Sequence, residues 1–523
     1  MLGFGLAKKS MSLLRTLTTF HLQDLPASIS GVTYGAIGLV AAITLILKLS
    51  QGPNLDAIPT VGSSSWLGSW WAGFKYLTSA QSVLQEGYEK YKSRGAPFKV
   101  AELNRWTVIL SSREHVEELA RATNVFSLLD AINDEIQIEY LLGREVYQNP
   151  YHIAVIRLHL TRNIEALYPE IRDEIVTSFR ELLDPKANEW KYVPALSIIQ
   201  KIACRTSNRV FVGLPLCRDP DWIELNIRCT VDMIAGGVIT GVFPKFMRPL
   251  VARLFTKVPQ CIKRGMKLLG PTIKERQKYL DEYGSEWDDK PNDFLSWLMD
   301  EAEGPELTVK RLTSRMLFCN FAAVHGFTQA LFYLAANRQY IQPLREEVEG
   351  IVEKEGWSKV AVSKMRKVDS FLKECLRFEG MSTASLSRKA LKDFTFSDGT
   401  FIPKGTMVSA PTLSLQHDES FYDNPDVFVP FRFAEMHDED DNRSKHQCTS
   451  TSVEYLAFGH GKHACSGRFF AASELKLMLA HVVVMYDVKL EDNATYPPSW
   501  HIGTFISANP SAKVMFRNRN RAD

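Results

Sequence analysis

The sequence predicts a mainly α-helical fold with a minor β portion, and three observations carry that reading. From about residue 113 to 354 apolar residues recur at helical spacing, with breaks expected at Pro150, Pro169, Pro215, Pro220, Pro244 and Pro291. Short alternating stretches rich in β-branched and aromatic residues stand outside that block, on either side of it. The composition, 45% hydrophobic and 11% aromatic, is that of a large globular chain able to bury both a core and an apolar ligand. With 62 basic against 60 acidic residues and no strongly basic run, no nucleic-acid partner is expected.

The elements follow in chain order. Residues 1–24 form an N-terminal tail. Residues 25–48 begin with LPASISGVTYGAIGLVAAITLIL, which carries no charge between Asp24 and Lys48. About 20 apolar residues span a bilayer as a helix, whereas the core of a cleaved signal is about 7–15. The stretch therefore reads as an uncleaved transmembrane anchor, with a buried core helix as the alternative. Lys8, Lys9 and Arg15 before it and Lys48 after it do not fix an orientation. The acid-poor first twenty residues also suit a mitochondrial address. Residues 49–62, with GPNLDAIPTVG, read as a proline- and glycine-punctuated hinge, and residues 63–523 as the catalytic domain.

Within that domain PFKVAELNRWTVILSS has strand character. The longest helical run is 308–340, predicted as one helix crossing most of the domain, followed by helices over 344–354 and 365–378. DFTFSDGTFIPKGTMVSAPTL then alternates around Asp398, Gly399 and Gly405, the pattern of short hairpins. A loop-rich stretch with HDEDD at 437–441 leads to FGHGKHACSGRFF at 458–470, and a helix is expected over about 466–486. The eight cysteines are scattered without C-x-x-C spacing and read as reduced, mostly buried thiols.

One cysteine, Cys465, stands in a glycine-rich loop directly before a helix. A thiolate becomes a ligand only where its charge is stabilised, and a helix N-terminus does this with unpaired N–H groups and the positive end of its dipole. Glycines let backbone N–H groups approach the sulfur. No second cysteine or histidine stands at zinc or iron–sulfur spacing, so a single axial ligand to a flat cofactor fits best: haem held by one thiolate.

Phe458, Gly461, His463, Cys465 and Gly467 resemble the F-x-x-G-x-(R/H)-x-C-x-G loop of the cytochrome P450 haem-thiolate monooxygenases. Two further motifs stand in that family's order. Glu374 and Arg377 match its E-x-x-R pair, and Pro425 to Phe433 (PDVFVPFRF) matches its P-x-x-F-x-P-x-R-F segment, whose Arg432 completes a buried cluster. E-x-x-R spacing also occurs at Glu102 and Arg105 and at Glu118 and Arg121, so position decides. The resemblance implies haem b with Cys465 as axial iron ligand, Phe458 packed near the sulfur, and His463 and Arg388 toward the haem propionates. Arg157 stands where the family has a W-x-x-x-R arginine; the tryptophan is missing, and His152 is the alternative.

The long helix departs from the family. Where a small pair, an acid and a threonine are usual, this chain reads Ala322, Ala323, Val324, His325, Gly326, Phe327, Thr328. His325 replaces the acid and Gly326 the alcohol, while Thr328, two residues on, is turned about 200° around a helix. A histidine near neutral pH can shuttle protons.

The resemblance implies a membrane-anchored monooxygenase of the endoplasmic reticulum, single-pass, with a cytosolic catalytic domain. It would oxidise a hydrophobic small molecule, with a terpenoid of fungal secondary metabolism as the expected class. Electrons would come from NADPH through NADPH–cytochrome P450 reductase, with cytochrome b5 as a further partner and Lys462, Arg468 and Lys476 as docking contacts. Substrate-lining stretches by family position are 126–129, 324–326, 381–386 and 502–505. Gly326 keeps open a rearrangement, dehydration or peroxide-dependent reaction, and a non-catalytic haem sensor is the third reading.

Overall fold

The computed structural model describes residue 38 and residues 53–183, 189–285, 287–321, 326–439, 443–491 and 496–519. The tail and the predicted anchor lie outside the described residues apart from Gly38, as do 322–324 and His325.

Helices dominate. In chain order the helices used below are α1 (Trp66–Tyr91), α2 (Arg113–Arg121), α3 (Leu128–Ile136), α4 (Tyr151–Val155), α5 (Thr161–Leu183), α6 (Ala195–Phe211), α7 (Pro220–Val242), α8 (Arg248–Phe255), α9 (Val258–Tyr283), α10 (Val309–Phe321), α11 (Phe327–Ala336), α12 (Ile341–Glu355), α13 (Arg366–Phe378) and α14 (Arg468–Met485). A π turn over Ile156–Leu160 joins α4 to α5. Their shared core contains Phe179, Phe211, Trp222, Phe294, Phe332 and Phe371, all buried. Fully burying one such side chain contributes roughly 1.5–3 kcal/mol. From Leu477 to Val484 every residue of α14 is buried, so this helix runs through the middle of the body, against α5, α12 and α13.

The strands make a minor layer. β1 (Phe98–Ala101) and β2 (Trp106–Ile109) form an antiparallel hairpin, and β2 pairs in parallel with β8 (Met407–Ala410). β8 pairs antiparallel with β5 (Ser385–Ala390), which pairs with β3 (Phe126–Ser127). β6 (Phe394–Thr395) and β7 (Phe401–Ile402) are the hairpin predicted around Asp398 and Gly399. β4 (Lys191–Pro194), β12 (Lys513–Asn518) and β9 (Tyr486–Lys489) form a three-stranded sheet, and β10 (Trp500–Ile502) with β11 (Phe505–Ser507) a hairpin.

Four expectations need correction. The run 308–340 is two helices, α10 and α11, with a 3-10 turn over Arg338–Tyr340. Gly326, at φ −78° and ψ −27°, caps the second of them, as a residue with poor helix propensity can. Pro169 breaks nothing and lies inside α5. An interior proline costs about 3 kcal/mol, and burial of Leu167, Tyr168 and Ile171 beside it offsets that cost. The hinge is folded where described: Leu55, Ile58 and Val61 are buried, Val61 N donates to Lys99 O at 3.0 Å and Lys99 N to Pro59 O at 2.8 Å. Finally, α7 is long and apolar enough to cross a membrane, which the sequence reading did not note; half of its apolar window is buried in the fold, as in a core helix.

Candidate active site

The cysteine loop is closed by its own backbone. Gly459 N donates to Leu456 O (2.9 Å), Ala464 N to Gly461 O (3.0 Å) and Cys465 N to Phe458 O (2.8 Å), so Phe458 is brought back beside the cysteine. Gly459 and Gly461 sit at φ +68° and +73°, the left-handed region that glycine adopts without strain. Gly461 is doubly fixed, because a Cβ there would lie 3.0 Å from Ala120 O on α2. Gly461→Val should therefore cost about 1–3 kcal/mol from backbone strain alone, before α2 is displaced. Gly467, at φ −90° with only Ile156 Cγ2 within reach of a Cβ at 3.8 Å, should accept alanine without loss of fold. Unfolding midpoints of the two variants check the contrast; a Gly461→Val midpoint equal to wild type would contradict it.

All eight cysteines are free, and Cys465 alone among them is exposed. Its thiol is nevertheless set deep enough that burial pushes its pKa up, so it opens into a concave space rather than onto the outer surface. Three groups oppose burial and favour the thiolate: the backbone N–H groups of Gly467 and Arg468 at the start of α14, and the Arg468 guanidinium. Arg468 also braces the loop, donating through Nε to Thr449 O (3.1 Å) and through Nη1 to Cys465 O (3.0 Å).

Behind the loop, Glu374, Arg377 and Arg432 meet. Arg377 donates to Glu374 through Nε (2.7 Å) and Nη2 (2.8 Å), a bidentate pair with both side chains wholly buried. Arg432 Nε reaches Glu374 Oε1 at 3.3 Å, and its other nitrogens donate to the carbonyls of Asp423, Asn424 and Val427. Sequence reading missed what this cluster holds. Arg377 Nη1 donates to Gln416 O (2.6 Å), and Gln416 Oε1 accepts from Leu456 N (3.1 Å), two residues before Phe458. The buried Gln416 thus ties the cluster to the cysteine loop; a lone glutamine has no motif that would have revealed it.

A cationic end lies across the loop. Leu386 adopts φ +55° at a bulge where the β5–β8 register shifts, and Arg388 follows it, buried, with one hydrogen bond from Nη1 to Ser387 O (2.9 Å). Burial brings the Arg388 pKa down to about 10. His463 is lowered by burial first, then by Arg388, Lys462 and Arg157, which places these charges about one spot. His463 Nε2 is buried without a partner, and neither Arg388 nor Arg157 has an ion pair among the described residues. Buried cationic and polar groups in this state require an anion. The two carboxylates of haem b fit, with Arg388, Arg157 and His463 to hold them and Cys465 to ligate the iron. His152, the alternative to Arg157, faces elsewhere: its Nδ1 meets Arg315 Nη1 at 3.0 Å, its ring packs on Phe318, and burial with Arg315 lowers its pKa to about 3.

Other predicted residues divide. Thr328 is fully buried with Oγ1 unpartnered among the described residues, and Gly326 faces Leu475 and Leu376. The stretches 381–386 and 502–505 come together, Thr383 N donating to Thr504 O at 2.8 Å and Ile506 N to Met381 O at 3.0 Å. Phe126 is withdrawn from the lining, because its ring packs on Phe394 and Phe396 inside the sheet. Lys476 is withdrawn from the docking contacts, because its ammonium pairs with Asp369 at 2.6 Å and is largely covered. Lys462 stays exposed, on a groove of about 530 Å³ shared with Arg113, Arg121 and His460.

Comparison with known proteins gives one answer. A family model described as Cytochrome P450 matches residues 54–516. The chain is 43% identical over 495 residues to cytochrome P450 monooxygenase 151 of Postia placenta, covering 93% of this chain and 98% of that relative. It is 33% identical over 497 residues to cytochrome P450 monooxygenase CYP512U6 of Ganoderma lucidum (94% and 97% covered). It is 31% identical over 479 residues to cytochrome P450 monooxygenase paxQ of Penicillium paxilli (88% and 92%).

Proposed function

The chain belongs to the cytochrome P450 family, and on that footing we propose that it is a membrane-anchored monooxygenase oxidising a hydrophobic small molecule. O2 is the co-substrate, and electrons come from NADPH through NADPH–cytochrome P450 reductase. The observation that carries the reading is Cys465, its sulfur opposed to burial by two backbone N–H groups and Arg468. Thiolate-ligated haem, when bound, supplies oxygen activation and one-electron chemistry. The protein's part is to hold the thiolate with the start of α14, anchor two carboxylates with Arg388, Arg157 and His463, and keep the loop rigid through Gln416.

A terpenoid substrate rests on the sequence resemblance alone. The apolar segment at 25–47 and the exposed Phe246, Leu250, Leu254 and Phe255 around α8, with Lys245, Arg253 and Lys257 beside them, support residence at a membrane; the endoplasmic reticulum is the compartment we assign. The groove beside Lys462 suits an acidic redox partner, reductase or cytochrome b5. The deciding experiment is substrate oxidation in membranes with and without reductase and NADPH. Dependence on both supports the reading.

Gly326 favours one alternative, a rearrangement, dehydration or peroxide-dependent reaction that needs no alcohol at that position. Its φ is ordinary and a Cβ would meet Leu475 Cδ1 only at 3.5 Å, so threonine fits there. Under the monooxygenase reading, Gly326→Thr should lower peroxide released per NADPH consumed. Unchanged peroxide and unchanged turnover would favour the alternative.

A further inference from the structure

Glu135, near the end of α3, is tied into the space between α3, α1, β5 and the β1–β2 turn. Ser387 on β5 donates to its carboxyl, and Ser387 Oγ meets Ser409 Oγ at 2.8 Å. The next residue along α3, Asp134, is bound by Lys389 Nζ at 2.6 Å. From the other side α7 closes in: a Cβ on Gly237 would lie 2.8 Å from Ile136 Cα and 3.2 Å from Glu135 O. Both Glu135 and Arg105 stay partly open to water, yet burial is the leading influence on each. Groups of that kind line an internal chamber.

The charges there are unevenly matched. Arg105 is paired directly with Glu102, at 3.0 Å through Nε and 2.9 Å through Nη2. Asp134 is paired with Lys389, and the buried Tyr76 stands near both Glu102 and Glu135. Arg388 interacts with Glu135 through space but spends its hydrogen bond on Ser387 O. Glu135 is left with one donor, Ser387, where a carboxyl group offers about four acceptor sites. Burial raises its pKa, with Arg105 and Ser387 opposing, so the group lacks the strong partner that would hold it fully ionised.

We propose that Glu135 orients the substrate by accepting a hydrogen bond from a hydroxyl group on an otherwise apolar molecule. This rests on the monooxygenase reading and narrows its substrate class to oxygenated hydrophobes. A hydroxyl suits the site better than an ammonium group, because Arg105 and Arg388 already offset the carboxylate's charge. Ser387, the neighbouring Arg388 and the adjoining stretch 381–386 put this acceptor next to the wall expected to contact substrate.

The test uses full-length protein and two probes of one skeleton, the tricyclic alcohol cedrol and its parent hydrocarbon cedrane. Dissociation constants are read from the ligand-induced Soret shift for wild type, Glu135→Gln and Glu135→Leu. The ratio of hydrocarbon to alcohol constants should fall about tenfold or more in Glu135→Leu, and be largely kept in Glu135→Gln, whose amide oxygen still accepts. A ratio that changes by less than about twofold in Glu135→Leu overturns the proposal. If Glu135→Leu does not fold, Glu135→Gln with the alcohol's O-methyl ether decides: a wild type that binds ether and alcohol alike overturns it. Absence of haem from the wild type would sink the monooxygenase reading itself, a separate and visible result.

Discussion

Glu374→Ala should yield no haem-loaded protein. The carboxylate is wholly buried, carries the bidentate Arg377, takes a bond from Arg432, and accepts from Val429 N at 3.0 Å. Removing it leaves two buried guanidinium groups without their anion, a loss of about 3–5 kcal/mol. Against a typical domain stability of about 5–15 kcal/mol, that is a large fraction. The damage spreads to the haem site because Arg377 positions Gln416, and Gln416 holds Leu456 at the head of the cysteine loop. The control has the same sequence spacing and a different environment. Arg121, at E-x-x-R spacing from Glu118, is exposed and pairs with Glu117 at 2.8 Å, so Arg121→Ala should cost no more than about 1 kcal/mol. Haem per protein and the urea midpoint of both variants check this. A Glu374→Ala protein with wild-type haem content and midpoint would contradict it.

What the sequence made legible follows from how local each signal is. The cysteine loop was readable because its chemistry sits in consecutive residues: glycines for the turns, a helix start, one thiol. The Glu374–Arg377 pair was readable from spacing and order, although spacing alone does not separate it from Arg105 or Arg121. What failed was set by packing at a distance. Pro169 reads as a break in one dimension and is carried through because α5 is buried on both sides of it. Residues 55–61 read as a hinge and become an edge of the sheet because Lys99 can pair with them. Lys476 reads as a surface charge until α13 supplies Asp369. Gln416 and Glu135 have no motif at all, and only the fold shows which partners they meet.

The measurement that tests the central claim most directly is the absorption spectrum of the dithionite-reduced, CO-bound protein in membranes, beside Cys465→Ser. Serine keeps the size of the side chain and the loop's hydrogen bonds, which are made by the backbone of Phe458 and Cys465 rather than by the sulfur. It removes the thiolate that the N–H groups of Gly467 and Arg468 stabilise. The account predicts a strongly red-shifted Soret band in the wild type that is absent from Cys465→Ser. A band at the same position in both proteins, or a wild type without haem, would contradict it.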